Sequence, residues 1–286
     1  MTAGDNAAAV PGPSLDAFNA SVRLRLDIAY DGTEFAGWAV QPGQRTVQGV
    51  LQSALAAVLR LDALALTVAG RTDAGVHATG QVAHCDVPTD HWSEVADSIL
   101  RRLAGVLPAD VRVRSARVTS TDFDARFAAL WRRYEYRISD ASTGVDPLRR
   151  AFVLDYRRAL DVTAMNDAAA QLVGLNDFVA FCKRREEAST IRQVQVFEVV
   201  RQDAEILVRI QADAFCHSMV RSLVGALIAV GEGRRPVDWP GTLLNATERA
   251  NDVAVAPAHG LTLVTVAYPP DEELTARTAQ TRARRD

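Results

Sequence analysis

The chain of 286 residues is 48% hydrophobic and 23% charged, with a formal net charge of −3. That composition excludes disordered, collagen-like and coiled-coil classes, and the length suits two domains of about 100–150 residues, each able to bury a core. The longest apolar stretch, Leu223–Val230, is short and broken by Gly225. Met1–Ser14 has neither a basic nor an apolar signal segment, so a soluble, cytoplasmic protein with no membrane partner is expected.

Residues 1–20 are rich in Ala, Gly, Pro and Ser without periodicity and read as a flexible tail. Val22–Tyr30 alternates, with Val22, Leu24, Leu26 and Ile28 on one face, and ends at Asp31-Gly32: a half-buried strand closed by a turn. Val47–Leu59 sets Val47, Val50, Leu51, Ala54, Leu55 and Val58 at helical spacing. Leu64–Val68 and Gln81–Val87 read as strands joined by the loop 70–80, Trp92–Leu103 as an amphipathic helix and Val111–Val118 as a strand. The order β-α-β-β-α-β is that of a ferredoxin-like unit.

The same order recurs beyond Ser120. Tyr134, Tyr136 and Ile138 share a strand face, Val162–Val173 reads as a helix, and Gln195–Val200 with Ile206–Gln211 reads as a hairpin. Phe215–Val230 is a helix stopped by Gly231, and Leu261–Ala267 is a last alternating strand. The expected organisation is an N-terminal α+β domain over 21–120, a C-terminal α+β domain over 121–270 and a polar, disordered tail over 271–286. Two such halves imply a cleft between them.

The three cysteines, Cys85, Cys182 and Cys216, are odd in number and scattered, which argues against a disulfide framework and suits a reducing compartment. Histidines and cysteines form no metal-ligand spacing, so no metal is expected. Lys183 is the one lysine among 32 basic residues, so positive charge is nearly all guanidinium, suited to bidentate phosphate contacts and to stacking on bases. From Arg112 to Arg150 nine Arg face five acidic residues, a local +4. Lys183-Arg184-Arg185 is a second cluster, and the tail carries Arg277, Arg282, Arg284 and Arg285. Each cluster suits either solvated surface or a phosphate backbone.

Three segments carry chemistry. In Gly70–Gly80 (GRTDAGVHATG) the two glycines Gly70 and Gly75 have phosphate-loop spacing, but Val76-His77 stands where Lys-Ser/Thr is required. What remains is Asp73 held between glycines, either a turn-forming Asx residue or a positioned nucleophile or base. In the apolar helix, Arg221 lies mid-helix one turn beyond His217 and has no acidic residue within reach on its own helix, so it snorkels to solvent or meets an anion from elsewhere in the fold or a ligand. Trp131-Arg132-Arg133-Tyr134-Glu135-Tyr136 interleaves aromatics with arginines on a strand, a layout that serves as core or as a platform for bases and phosphates.

These segments resemble the tRNA pseudouridine synthase A family. Its signature loop is similar to Gly70–Gly80 with Gln81-Val82, and its N-terminal block to Tyr30-Asp31-Gly32-Thr33, Phe35, Gly37, Trp38 and Arg45-Thr46-Val47-Gln48-Gly49. Phe123-Asp124-Ala125-Arg126-Phe127, Arg133-Tyr134-Glu135-Tyr136, Gly174–Phe181, Phe215–Arg221 with Gly225, and Ala256-Pro257 with Gly260-Leu261 follow in family order, from about Val22 to Tyr268. Leu103–Pro108 and His217-Ser218 depart from the usual pattern, and the segment after Pro270 has no counterpart in it.

The resemblance implies the pseudouridine synthase fold: two ferredoxin-like, RRM-like α+β halves whose mainly antiparallel sheets join across a positively charged central cleft, in a homodimer. It implies an isomerase converting uridine to pseudouridine at positions 38, 39 and 40 of the tRNA anticodon stem-loop, with no cofactor. Carried over residue by residue, Asp73 is the catalytic aspartate, Tyr134 the tyrosine that stacks on the target base, Arg221 the basic partner of Asp73, and Arg71 an arginine that holds the flipped-out nucleotide. The pair would keep a buried Asp73 ionised. The alternatives are a synthase of this fold acting on another RNA, or a non-catalytic tRNA-binding chaperone.

Overall fold

The computed structural model describes residues 20–140, 144–183 and 189–282. The tail expected over 1–20 lies outside them except for Ala20, as do Arg184, Arg185, Arg284 and Arg285 of the basic clusters. The first elements are β1 (Ser21–Tyr30), α1 (Val47–Leu59), β2 (Thr67–Val68), β3 (His77–Pro88), α2 (Thr89–Ser93), α3 (Ile99–Val106) and β4 (Val111–Thr119). They are followed by β5 (Trp131–Ser139), β6 (Leu154–Asp155), α4 (Val162–Ala170), β7 (Gly174–Asp177), β8 (Ile191–Gln202), β9 (Glu205–Ala212), α5 (Met219–Gly231), α6 (Trp239–Thr242), β10 (Leu261–Ala267) and α7 (Leu274–Arg282).

Ten strands make one sheet in the order β4-β1-β3-β10-β5-β9-β8-β7, with β2 beside β3 and β6 beside β5. β4-β1-β3-β2 and β10-β5-β9-β8 each run in the 4-1-3-2 order of a ferredoxin-like unit, so the α+β architecture expected from the sequence is the one observed. The two sets meet where β10 runs parallel to β3, Thr262 opposite His77 and Leu263 opposite Ala78. Further along the same strand, β2 pairs antiparallel with β3 at His84 and Ala83. The loop from Ala69 to Val76 therefore leaves the β2 pairing and returns beside β10, at the junction of the two strand sets.

Alternation explains the strands. Leu24, Leu26, Ile28 and Tyr30 of β1 are buried, and so are Tyr134, Tyr136 and Ile138 of β5; each such side chain contributes about 1.5–3 kcal/mol on leaving water. Helix α1 starts at Thr46, whose side chain accepts from Gly49 N–H, and its first free N–H groups, on Val47 and Gln48, donate to the carbonyls of Gly37 and Trp38. α1 packs against α3, and α4 packs against β8 and α5.

Three expectations are corrected. The helix over Trp92–Leu103 is broken into α2, a short 3-10 turn and α3; Ser93 and Ser98 donate their hydroxyls to the carbonyls of Asp90 and Val95, the local competition that interrupts helices. The helix expected from Phe215 begins at Met219, after Ser218 at φ 65. The segment after Pro270 is not disordered throughout: Leu274 is fully buried and α7 lies along residues 122–129, with Thr275 Oγ1 donating to Asp122 (2.8 Å) and Arg277 to the Ala129 carbonyl (3.0 Å).

Gly225 supplies a test of this packing. A Cβ there would run into the Ala254 carbonyl oxygen. Gly to Ala in a helix interior ordinarily stabilises by about 1 kcal/mol, but Gly225→Ala should lower stability by about 1–3 kcal/mol, through overpacking. Urea unfolding of the two proteins reads the sign.

Candidate active site

Asp73 occupies the loop between β2 and β3, where Val76 N–H donates back to its carbonyl (3.2 Å). The segment 30–38 forms the base of this loop. Trp38 N–H donates to Thr72 O (3.0 Å), Gly75 N–H to Phe35 O (3.3 Å), and the Tyr30 hydroxyl pairs with Thr72 Oγ1 (2.8 Å). Gln81 Nε2 donates to Gly70 O (2.9 Å) and to the Tyr30 oxygen (3.2 Å), and burial pushes the Tyr30 phenol up to about 12. Gly37 sits at φ 99 and a Cβ on it would lie 2.9 Å from Thr72 O, so a side chain there would displace the loop. Buried His77 closes the other end: its Nδ1 accepts from Gly32 N–H (2.9 Å), leaving Nε2 to donate to His259 O (3.0 Å).

An arginine and a histidine reach the Asp73 carboxylate from the other strand set. Arg221 Nη1 lies 3.4 Å from Oδ2 and His217 Nε2 3.4 Å from Oδ1. Arg221 is aimed by a second bond, Nε donating to Ala256 O (2.7 Å), and Tyr136 fixes the same segment through Pro257 O (2.8 Å). The anion that Arg221 lacks on its own helix is Asp73. Sequence reasoning placed His217 near Arg221 but gave it no part in the site; its position before α5, rather than on it, is what turns it toward Asp73. The carboxylate is not buried as expected: 29% of the Asp73 side chain is exposed, against 20% for Arg221 and 27% for His217. It lies open to a ligand.

Asp73, Tyr134, Arg71 and Arg221 all line one cleft of about 810 Å³. Tyr134 is buried, with its ring edge-on to Phe215 at 5.2 Å. Its removal from water pushes the phenol well above the usual tyrosine range, so it stands as a neutral ring at pH 7. Arg71 is exposed on the wall with no side-chain partner among the described residues. Seven arginines and two aspartates line the cleft, a positive surface in a chain of net charge −3.

The interleaved strand is sorted by the pleat. Tyr134 faces the cleft, while Arg133 turns to the opposite side, bonded to Gln211 (2.6 Å) and lying over Trp131. Arg132 is buried and donates to three carbonyls, Ala69 O (2.8 Å), Arg126 O (2.7 Å) and Asp213 O (2.6 Å), and its pKa is lowered by desolvation. It ties the loop that carries Asp73 to the neighbouring strand set instead of offering its charge to a phosphate. The cysteines also depart from expectation. Cys182 and Cys216 form a disulfide, Cα to Cα 5.8 Å, and the adjacent Lys183 N–H donates to His217 O, so the two segments run together here. Cys85 is the free thiol, pushed up to about 12 by burial.

The sequence matches the profile of a family described as tRNA pseudouridine synthase over residues 28–128 and 168–269. A protein of Frankia casuarinae named tRNA pseudouridine synthase A is 58% identical, the match covering 92% of this chain and 95% of the relative. Proteins of the same name from Streptomyces avermitilis and Mycobacterium leprae are 55% and 51% identical, over 92% and 91% of this chain and 94% of each relative. Among solved structures, a chain of an H/ACA RNP bound to a substrate RNA is 12% identical, covering 72% of this chain and 44% of its own length, with a TM-score of 0.32. That likeness bears no weight beside the strand order.

Arg132→Met keeps the length of the side chain and strips three carbonyls of their donor. Unsatisfied buried polar groups cost about 1–3 kcal/mol each, so the variant should lose about 3 kcal/mol or more. Chemical denaturation measures it, and a loss below about 1 kcal/mol would show that the guanidinium does not organise these segments.

Proposed function

The chain belongs to the tRNA pseudouridine synthase family, and on that premise we propose that it isomerises uridine to pseudouridine at positions 38, 39 and 40 of the tRNA anticodon stem-loop, with Asp73 as the nucleophile. The observation that supports this most is Asp73 with one carboxylate oxygen toward Arg221 and the other toward His217, in an arginine-lined cleft beside Tyr134.

The target uridine must leave the helical stack, at a cost of a few kcal/mol. In this reading the Tyr134 ring stacks on the extruded base and Arg71 holds the flipped nucleotide through its phosphate. Asp73 attacks C1′ of the ribose or C6 of uracil, and the bond from C1′ to N1 breaks. The base turns, a bond from C1′ to C5 forms, the bond to Asp73 breaks to return the free carboxylate, and the C5 proton leaves while N1 gains one. Product and substrate are isomers, so atoms balance without a cofactor. The Arg221 guanidinium and the His217 imidazole hold the Asp73 carboxylate oriented between turnovers. Its neutral phenol makes Tyr134 a stacking partner more than a resting base. The chain acts as a cytoplasmic homodimer in this proposal; no helix among the described residues is long and apolar enough to cross a membrane.

Tritium release from tRNA transcripts labelled at uridine C5 tests the reading. Wild type should release tritium, and Asp73→Asn should lose essentially all activity while still binding tRNA. Release by Asp73→Asn comparable to wild type would remove Asp73 as nucleophile. Binding by both proteins with release by neither would favour a tRNA chaperone or a different RNA substrate. Affinity should also fall about 10³–10⁵-fold between 50 and 200 mM salt if 6–10 phosphates are contacted; a flat dependence would contradict phosphate binding in the cleft.

A further inference from the structure

The C-terminal helix α7 is anchored by buried Leu274 and by the bonds of Thr275 and Arg277 to residues 122–129. Those contacts suffice to hold a short helix against the fold, and they leave its last turn unexplained. Arg277 and Arg282 line the same cleft as Asp73. The Arg282 guanidinium lies 5.0 Å from the centroid of the Phe127 ring, and that of Arg126, the preceding residue, lies 4.9 Å from the same ring. Phe127 and Arg126 also face the cleft.

The charge at this rim is available. The Arg282 side chain is 61% exposed. Its carboxylate neighbour, Asp124, accepts the backbone N–H groups of Arg126 (2.8 Å) and Phe127 (2.9 Å) on Oδ1 and meets Arg282 Nη2 through Oδ2 at 3.4 Å, a long contact that leaves the other guanidinium donors open. Leu274–Arg282 itself contains no acidic residue. Guanidinium groups held over an aromatic ring are ordered in advance, and their remaining donors match a phosphate bidentately.

We propose that α7 is an RNA-binding element of this protein: Arg282 and Arg277, with Arg126 at the same Phe127 ring, engage backbone phosphates of the RNA strand lying in the catalytic cleft. This rests on the reading of the chain as a tRNA-modifying enzyme and adds to it a helix, α7, outside the segments that resemble the family. The partner is identified by the continuity of the patch with the catalytic cleft and by its charge. A protein partner would ask for apolar area that this rim lacks.

The test is a salt series of tRNA transcript affinity for wild type, Arg282→Gln, Arg282→Lys and Arg277→Gln/Arg282→Gln, with tritium release measured on each and thermal unfolding as a folding control. Arg282→Gln should weaken binding several-fold, raise KM more than it lowers kcat, and reduce the slope of log affinity against log salt by about 1. The double variant should lose tenfold or more, and Arg282→Lys should recover the slope but only part of the affinity. Unchanged affinity and slope in the two Gln variants, beside a wild type that binds and isomerises, would overturn the proposal and leave the enzyme reading intact. Should wild type bind but release no tritium, reduced slopes in the variants would still support α7 as an RNA site while the enzyme reading falls. A purely structural helix would shift the unfolding temperature and leave the salt slope alone.

Discussion

Asp73 rides on the loop between β2 and β3 of one strand set, and the two side chains beside its carboxylate, Arg221 and His217, are carried by the other. Much of the fold can be understood as what keeps those three side chains within reach. β3 and β10 run side by side at the base of the loop, Arg132 laces Ala69 to Asp213 across the same junction, and Ala256 holds the Arg221 guanidinium from behind. A carboxylate met at each oxygen by a separate side chain has its rotamer set, which is the preorganisation a nucleophile needs. Because the trio is partly exposed, solvent screens it, and its value to stability is small; its importance lies in orientation.

The same junction explains how an acidic chain presents a surface to a polyanion. Net charge is −3, yet arginine outnumbers aspartate seven to two along the cleft. Carboxylates elsewhere are absorbed in surface pairs, Arg23 with Asp86, Arg45 with Asp110 and Arg201 with Asp140. These acidic groups are matched away from the cleft, and arginine is left in excess along it. Arginine suits that task, since its planar fork meets both a phosphate and an aromatic face.

The strands and the two long helices that alternate or repeat cleanly were legible in the sequence: β1, α1 and β10 follow directly from periodicities of two and 3.6. The need of Arg221 for an outside anion was legible too, because nothing three or four residues away on its helix could serve. What escaped was decided by tertiary contacts. β3 begins at His77, not at Gln81, because its first residues find a partner in β10, far away in sequence. Arg132 looked like one more phosphate ligand until the pleat put it inside. α7 has a single apolar anchor, Leu274, and otherwise polar contacts, so no hydrophobic period announces it. His217 was misplaced by one turn, since a left-handed Ser218 stops the helix short of it. The Cys182–Cys216 pairing depends on an approach of segments 34 residues apart that spacing alone does not reveal.

The central claim is that a cation from one strand set orients the nucleophile of the other. Single-turnover isomerisation by Arg221→Ala and Arg221→Lys, at saturating anticodon stem-loop and with and without added guanidinium ion, addresses it directly. The account predicts a loss of about 10²-fold or more for Arg221→Ala, the scale of a misplaced reacting group, with partial recovery on adding guanidinium and a smaller loss for Arg221→Lys. A near wild-type rate for Arg221→Ala at neutral pH would contradict it.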